Sequence, residues 1–306
     1  MFKKYYRVFQ GVFSLSVISF LIWYTNPLEL MTSLSQAPYM KLICLIVVYE
    51  TLLVLLWCGG LLTLLRGYGE IGYGALVLAG IRTQVLTMVF PGRTGDISMA
   101  YLLRKKFRVR DSTTVLLIDK VITLLLVSML AIAAVGYFYG SKHLLTCVLV
   151  LVALIMVATA ILKWFPERIQ AVDSDSFMAR ILKIIGDMHN QASTKITSAS
   201  LIWNLIFTAL RIFLSGVCFT LILSWFGVKL SLWYILLVQA MVQIITILPV
   251  TYMGIGLVEG MNIHLLGLAG VDGAVTLAAN LSTRAVQILL YLIAALCWLL
   301  PRNDSA

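Results

Sequence analysis

The chain has 306 residues, 61% of them apolar and 12% charged, with a mean hydropathy of +0.99. A water-soluble fold of this length needs far more polar surface, so the composition excludes one and predicts an all-α polytopic membrane protein. The formal charge of +10 does not mark a nucleic-acid binder: lysines and arginines gather at 3–7, 104–110 and 163–195, and the stretches near 26–39, 139–142 and 227–230 carry few, the distribution that orients membrane spans.

A hydrocarbon core about 30 Å thick takes roughly 20 apolar residues per helical crossing. The first such run, about 9–25, overlaps the basic start "MFKKYYRVFQ". That start resembles a signal peptide, but no small-x-small cleavage site follows, and the run reads as an uncleaved span. A second run, 40–62, ends near Arg66. Region 71–107 is also apolar but is broken by "FPGRTGD" at 90–96 and closes on the basic "RKKFRVR" at 104–110, an orientation signal suited to anionic head groups. Runs at 114–138 and 143–165 follow. In the polar segment 166–198, Phe177, Ile181, Ile184, Ile185 and Met188 recur at helical spacing opposite Arg180, Lys183 and Asp187, which predicts a helix lying in the cytoplasmic interface. Span 199–226, a second interrupted region at 231–270 and a final span at 274–300 complete the chain.

Parity then orders these pieces. For the basic clusters near both ends and at 104–110 to share the cytoplasmic side, each interrupted region must leave by the side it entered, as a re-entrant broken-helix hairpin. The expected architecture is a single transmembrane domain, residues 1–306, of six full spans and two hairpins with both termini cytoplasmic. Span, span, hairpin, span occurs twice, over about 1–138 and 143–302. Each copy crosses an odd number of times, so the second is inverted relative to the first, a recurrent transporter plan whose site lies at the repeat interface.

Eight charged residues fall inside these spans or hairpins: Arg82, Arg93, Asp96, Asp119, Lys120, Arg211, Glu259 and Arg284. A charge at helix-centre depth costs about 2.5–3.5 kcal/mol, so such residues face the bundle interior. Asn204, Thr208, Arg211 and Ser215 share one helix face, Asn280, Arg284 and Gln287 share another, and Gln239 with Gln243 adds a third polar stripe. Each opposite-charge pair, such as Arg93 with Asp96 or Glu259, reads equally as a structural ion pair. Five cations against three anions nevertheless leave a positive excess that calls for an anionic partner. Arginine's planar fork suits phosphate, and a half-helix starting after Pro91 and Gly92 would add backbone donors.

Other motifs carry less chemistry. "GYGEIG" at 67–72 follows a membrane span rather than a β-strand, which argues against a dinucleotide site. The histidines are scattered and the cysteines stand singly in apolar runs, so no metal, disulfide framework or other cofactor is expected. His264, five residues beyond Glu259, reads either as a proton relay or as a hydrogen-bonded structural residue. No hydrolase, metalloprotease or nucleotide-binding signature is present, and no catalytic residue is assigned.

Two segments carry a family resemblance. "FPGRTGDISMAYLLRKKFRVRDSTTVLLIDKVITLLL", residues 90–126, resembles the first signature of the lysylphosphatidylglycerol synthase transmembrane, or flippase-like, family: Pro-Gly-Arg-x-Gly-Glu, a basic stretch, then an acidic-basic pair opening the next span. Pro91, Gly92, Arg93 and Gly95 match, Asp96 stands where Glu is usual, and Asp119-Lys120 supplies the pair. "PVTYMGIGLVEG" is similar to the second signature, with Pro249, Gly254, Gly256 and Glu259 in place. The resemblance implies a lipid-translocating module with Arg93, Asp96 and Glu259 in its site. With the chain ending at Ala306, the soluble aminoacyl-transferring domain of full-length synthases, and lysyl transfer with it, is expected to be absent.

The combined expectation is a non-enzymatic, flippase- or scramblase-like transporter of an anionic phosphate-bearing lipid (phospholipid, polyprenyl phosphate or glycolipid) in a bacterial or archaeal plasma membrane. Arg93, Asp96, Glu259, Arg211, Arg284 and Arg82 would bind the substrate, with Asp119, Lys120, Gln243 and His264 behind them. An intramembrane transferase acting on lipid phosphates and a non-transporting accessory subunit of envelope lipid or polysaccharide assembly are the alternatives. Homo-oligomers or envelope-biosynthesis partners fit this reading; nucleic acid does not.

Overall fold

The computed structural model describes residues 2–89, 98–140, 142, 143, 145, 194–246 and 254–299. Among them every regular element is helical: α1 Phe2–Tyr24, α2 Pro27–Ser35, α3 Tyr39–Leu65, α4 Tyr73–Val89, α5 Ser98–Leu102, α6 Val109–Tyr139, α7 Ser198–Trp225, α8 Leu232–Ile245, α9 Leu257–Gly267 and α10 Gly273–Leu299. The run expected at 143–165 and the connector expected at 166–198 lie almost wholly outside the described residues.

Helices α3, α6, α7 and α10 have 27, 31, 28 and 27 residues. At about 1.5 Å per residue each is longer than a hydrocarbon core of roughly 30 Å. By length and composition four described helices can cross a membrane, or five if α1 and α2 form one bent span. Their bounds lie close to the apolar runs read from the sequence, because an uninterrupted apolar stretch in lipid must satisfy its own backbone as a helix.

Helix α2 occupies the stretch between the first two apolar runs, for which the sequence predicts no element. Asn26, at φ 61°, accepts the Leu28 N–H at 3.2 Å and Pro27 opens the first turn, so the chain restarts as a helix bent 92° from α1. Its Leu30 buries against a cluster containing Leu21, Leu277 and Ala278.

The two interrupted regions each form a pair of shorter helices, α4 with α5 and α8 with α9. Of the expected break residues, Pro91, Gly92, Gly95 and Pro249 lie outside the described residues. Gly254 and Gly256 are described and take φ of 74° and 90°, a region that favours glycine. A Cβ on Gly256 would also stand 2.7 Å from Cγ1 of Val17, so this glycine lets α1 close against the start of α9.

Small residues set the central crossing. Where α3 meets α7, a Cβ on Gly59 would lie 2.9 Å from the Phe207 ring and one on Gly60 would lie 3.0 Å from Asn204 Nδ2. Helix α3 also packs on α4 and α10, and α7 packs on α8 and α6; α8 lies against α6, and α4 against α10. One core gathers Ile46, Ile222, Ile235 and Leu265, and a second gathers Leu61, Leu64, Leu76 and Met99. The outer faces present large apolar side chains, among them Leu15, Trp23, Met40 and Met129, that are suited to acyl chains rather than water.

The basic cluster joins α5 to α6. Arg104 lies 3.8 Å from the Tyr101 ring centroid and Lys195 lies 4.7 Å from that of Tyr68. Tyr68, Lys106, Phe107, Arg108, Asp111 and Lys195 line a cavity of about 350 Å³. Burial, and then the Asp111 carboxylate, push the Tyr68 phenol above its ordinary range.

Candidate functional site

The polar stripes of several helices meet around one cavity of about 430 Å³. Helix α7 contributes Thr208, Arg211 and Ser215; α10 contributes Asn280, Thr283, Arg284 and Gln287; and α8 with its C-cap contributes Gln239, Gln243 and Thr246. The same wall receives Tyr49 and Trp57 from α3, Gln84 and Thr87 from α4, Lys120 and Thr123 from α6, and Asn262 from α9. Spacings of three and four residues put each set on one face of its helix, and the apolar remainder of each helix turns that face inward.

Two buried carboxylates hold the arginines of this wall. Asp119, fully buried on α6, accepts hydrogen bonds from Trp57 Nε1 at 3.2 Å, Asn204 Nδ2 at 3.1 Å and Arg211 Nη2 at 3.2 Å. Arg211 Nη2 also donates to Thr208 Oγ1 at 2.9 Å. Lys120 stands 5.9 Å from the Trp57 ring centroid, a cation–π distance. Three helices, α3, α6 and α7, are thereby tied at one point.

Glu259 forms the second pair. As the third residue of α9 it reaches back to accept the Gly256 N–H at 2.6 Å, which caps the helix and sets negative charge at its positive end. Its other oxygen accepts from Arg284 Nε. Beside it Asn262 Nδ2 donates to Asn280 Oδ1 at 2.9 Å, and Asn280 Nδ2 donates to the Thr276 carbonyl at 2.8 Å.

The consequence is an asymmetry of charge. Lys120, Arg211 and Arg284 face the cavity, whereas Asp119 and Glu259 lie behind their arginines with no exposed surface. Among the described residues the polar part of the wall carries cations, amides and hydroxyls but no carboxylate, and apolar residues such as Leu53, Phe219 and Val242 supply the rest.

The other expected site residues fall elsewhere. Arg93 and Asp96 lie outside the described residues. Arg82 is not in the cavity wall; its guanidinium carbon sits 5.6 Å from the Trp298 ring centroid. His264 is exposed on α9, 3.0 Å from the Tyr139 hydroxyl, and also lies away from the cavity. Sequence reasoning missed Glu50, a lone carboxyl in the middle of the apolar run 40–62, which accepts from Gln287 Nε2 at 2.7 Å and from the Tyr291 hydroxyl. It also passed over Trp57, Gln84, Thr87 and Asn262. Glu50 carried the same signal as the charges that were noticed, an ionisable group at membrane depth.

Residues 8–295 match the family profile described as the lysylphosphatidylglycerol synthase TM region. The chain belongs to this family. No curated protein and no solved structure matches it. As a member of the lysylphosphatidylglycerol synthase TM family it is a multi-pass membrane protein with a membrane lipid-related function. Of the two segments that resemble this family, the second supplies Gly254, Gly256 and Glu259 to the start of α9, where Glu259 holds Arg284.

Proposed function

We propose that the protein moves an anionic, phosphate-bearing lipid across the membrane, with the head group passing through the 430 Å³ cavity. The observation that carries this reading is the placement of charge: three cations face a cavity of mixed polar and apolar lining among apolar helices, and the carboxylates that orient two of them are withdrawn from its wall. A phosphate there meets guanidinium forks already aimed by Asp119 and Glu259, so little ordering remains to be done on binding. Both carboxylates are engaged by arginine, which suits positioning rather than acid-base chemistry and favours transport over catalysis.

The finer architecture belongs to the same proposal: six spans and two re-entrant hairpins in two inverted halves, with both termini on the cytoplasmic side of a plasma membrane. The packing pattern supports it. Exchanging α3 with α7, α4 with α8, α5 with α9 and α6 with α10 turns the α3–α10 contact into α7–α6 and the α4–α10 contact into α8–α6, all of which occur. Two halves related in this way can rock about the cavity and open it to each leaflet in turn.

The test uses the full chain in proteoliposomes with acyl-labelled phosphatidylglycerol, a labelled polyprenyl phosphate or a labelled phosphoglycolipid, and a bleach confined to the outside. Arg211→Gln and Arg284→Gln are each expected to slow movement of the transported probe tenfold or more, a barrier change of about 1.4 kcal/mol or above. Unchanged rates in both variants would remove the assigned site. A chemically altered lipid recovered from the vesicles would replace transport by group transfer.

A further inference from the structure

The described spans and hairpins bury three carboxylates around this cavity, and they are not equivalent. Asp119 and Glu259 each face an arginine. Glu50, 7% exposed on α3, faces none among the described residues: its partners there are Gln287 Nε2 and the Tyr291 hydroxyl of α10, with Cys218 of α7 in electrostatic range and Tyr49 beside it on its own helix. Among the described residues no cation of α4, α6, α7 or α10 forms an ion pair with it. We propose that Glu50 is a proton-exchange site, a carboxyl that takes up and releases a proton next to the head-group cavity.

Two opposing effects act on the group. Burial of an isolated carboxylate in an apolar span favours the neutral acid. Two neutral donors, one on each oxygen, favour the anion, because an ionised carboxylate is an acceptor only.

The link to the cavity runs through Gln287, which lines the cavity and donates to Glu50. When Glu50 Oε binds a proton it becomes a donor, and one of its two partners must turn to accept. Gln287 can do so by presenting its carbonyl oxygen in place of its NH₂. Protonation thereby changes the hydrogen-bonding group beside Arg284 without moving any cation, and release of the proton to cavity water restores it. This deepens the transport reading by assigning it a proton as coupled ion, and it rests on that reading only for the coupling.

The measurement is an infrared pH titration of the full chain in liposomes, following the carbonyl stretch of a protonated carboxyl in an apolar setting. A titrating band is expected in the wild type, absent in Glu50→Gln and retained in Glu259→Gln. In Tyr291→Phe, which removes one donor to the anion, the band is expected to persist with its midpoint moved to higher pH. A band that survives Glu50→Gln overturns the proposal. If Glu50→Gln does not fold, Tyr291→Phe decides, and a midpoint unmoved from wild type overturns it. An intact Glu50 titration in vesicles that move no labelled lipid would support the proton site and count against the transport reading.

Discussion

Asp119 shows how a single buried charge organises its surroundings. It takes one hydrogen bond each from Trp57, Asn204 and Arg211, so donors from two other helices converge on one anion. Removing one member of such a pair leaves the other charge buried without its counterion, at a cost of about 3–5 kcal/mol. Arg211→Met alone and Asp119→Asn alone are therefore each expected to destabilise the fold by that order, measured by thermal unfolding in bilayer-like discs. The double variant is expected to lose less than the sum of the two, because it removes both charges. Additive losses would mean that the pair contributes nothing as a pair. The charged partners were legible as residues out of place in apolar runs; their pairing was not. From sequence Glu259 could be matched with Arg93, whereas Arg284 of α10 is the partner found among the described residues, because the return of α10 alongside α9 is a tertiary event.

At the level of elements, the four long described spans were legible because apolar runs in lipid have little choice of structure. Of the expected break residues, Gly254 and Gly256 were legible as glycines ahead of α9, but their geometry was not. Gly256 serves two purposes at once: its φ of 90° starts α9, and its bare Cα admits Val17 of α1. Gly256→Ala is expected to cost about 1–3 kcal/mol from backbone strain. The clash with Val17 adds to it, and Val17→Ala is expected to recover only the clash. Thermal unfolding of the two single variants and the double variant separates these parts. Full recovery in the double variant would show the backbone to be unstrained. Helix α2 escaped the sequence reading because nine residues are too few for a periodic signal; its start depends on one capping asparagine and one proline, which also fit a loop.

For the molecule as a whole, the proposed inverted arrangement makes a prediction about sides. Single cysteines introduced at Lys106 and Lys195 are expected to react with an impermeant maleimide only from the cytoplasm, and one at Lys142 only from outside, in a chain otherwise stripped of cysteine. Lys142 and Lys195 labelled from the same side would remove the inverted repeat. The sequence by itself determined that the chain is helical, lives in a membrane and carries ionisable residues inside its apolar runs; each follows from local composition, because lipid penalises any unsatisfied polar group. Only the tertiary structure decided which arginine Asp119 and Glu259 each hold, that Arg82 and His264 stand away from the cavity, and that Glu50 forms no ion pair among the described residues. Those outcomes depend on which helix faces meet across distant parts of the chain, and helical periodicity specifies a face without naming its neighbour.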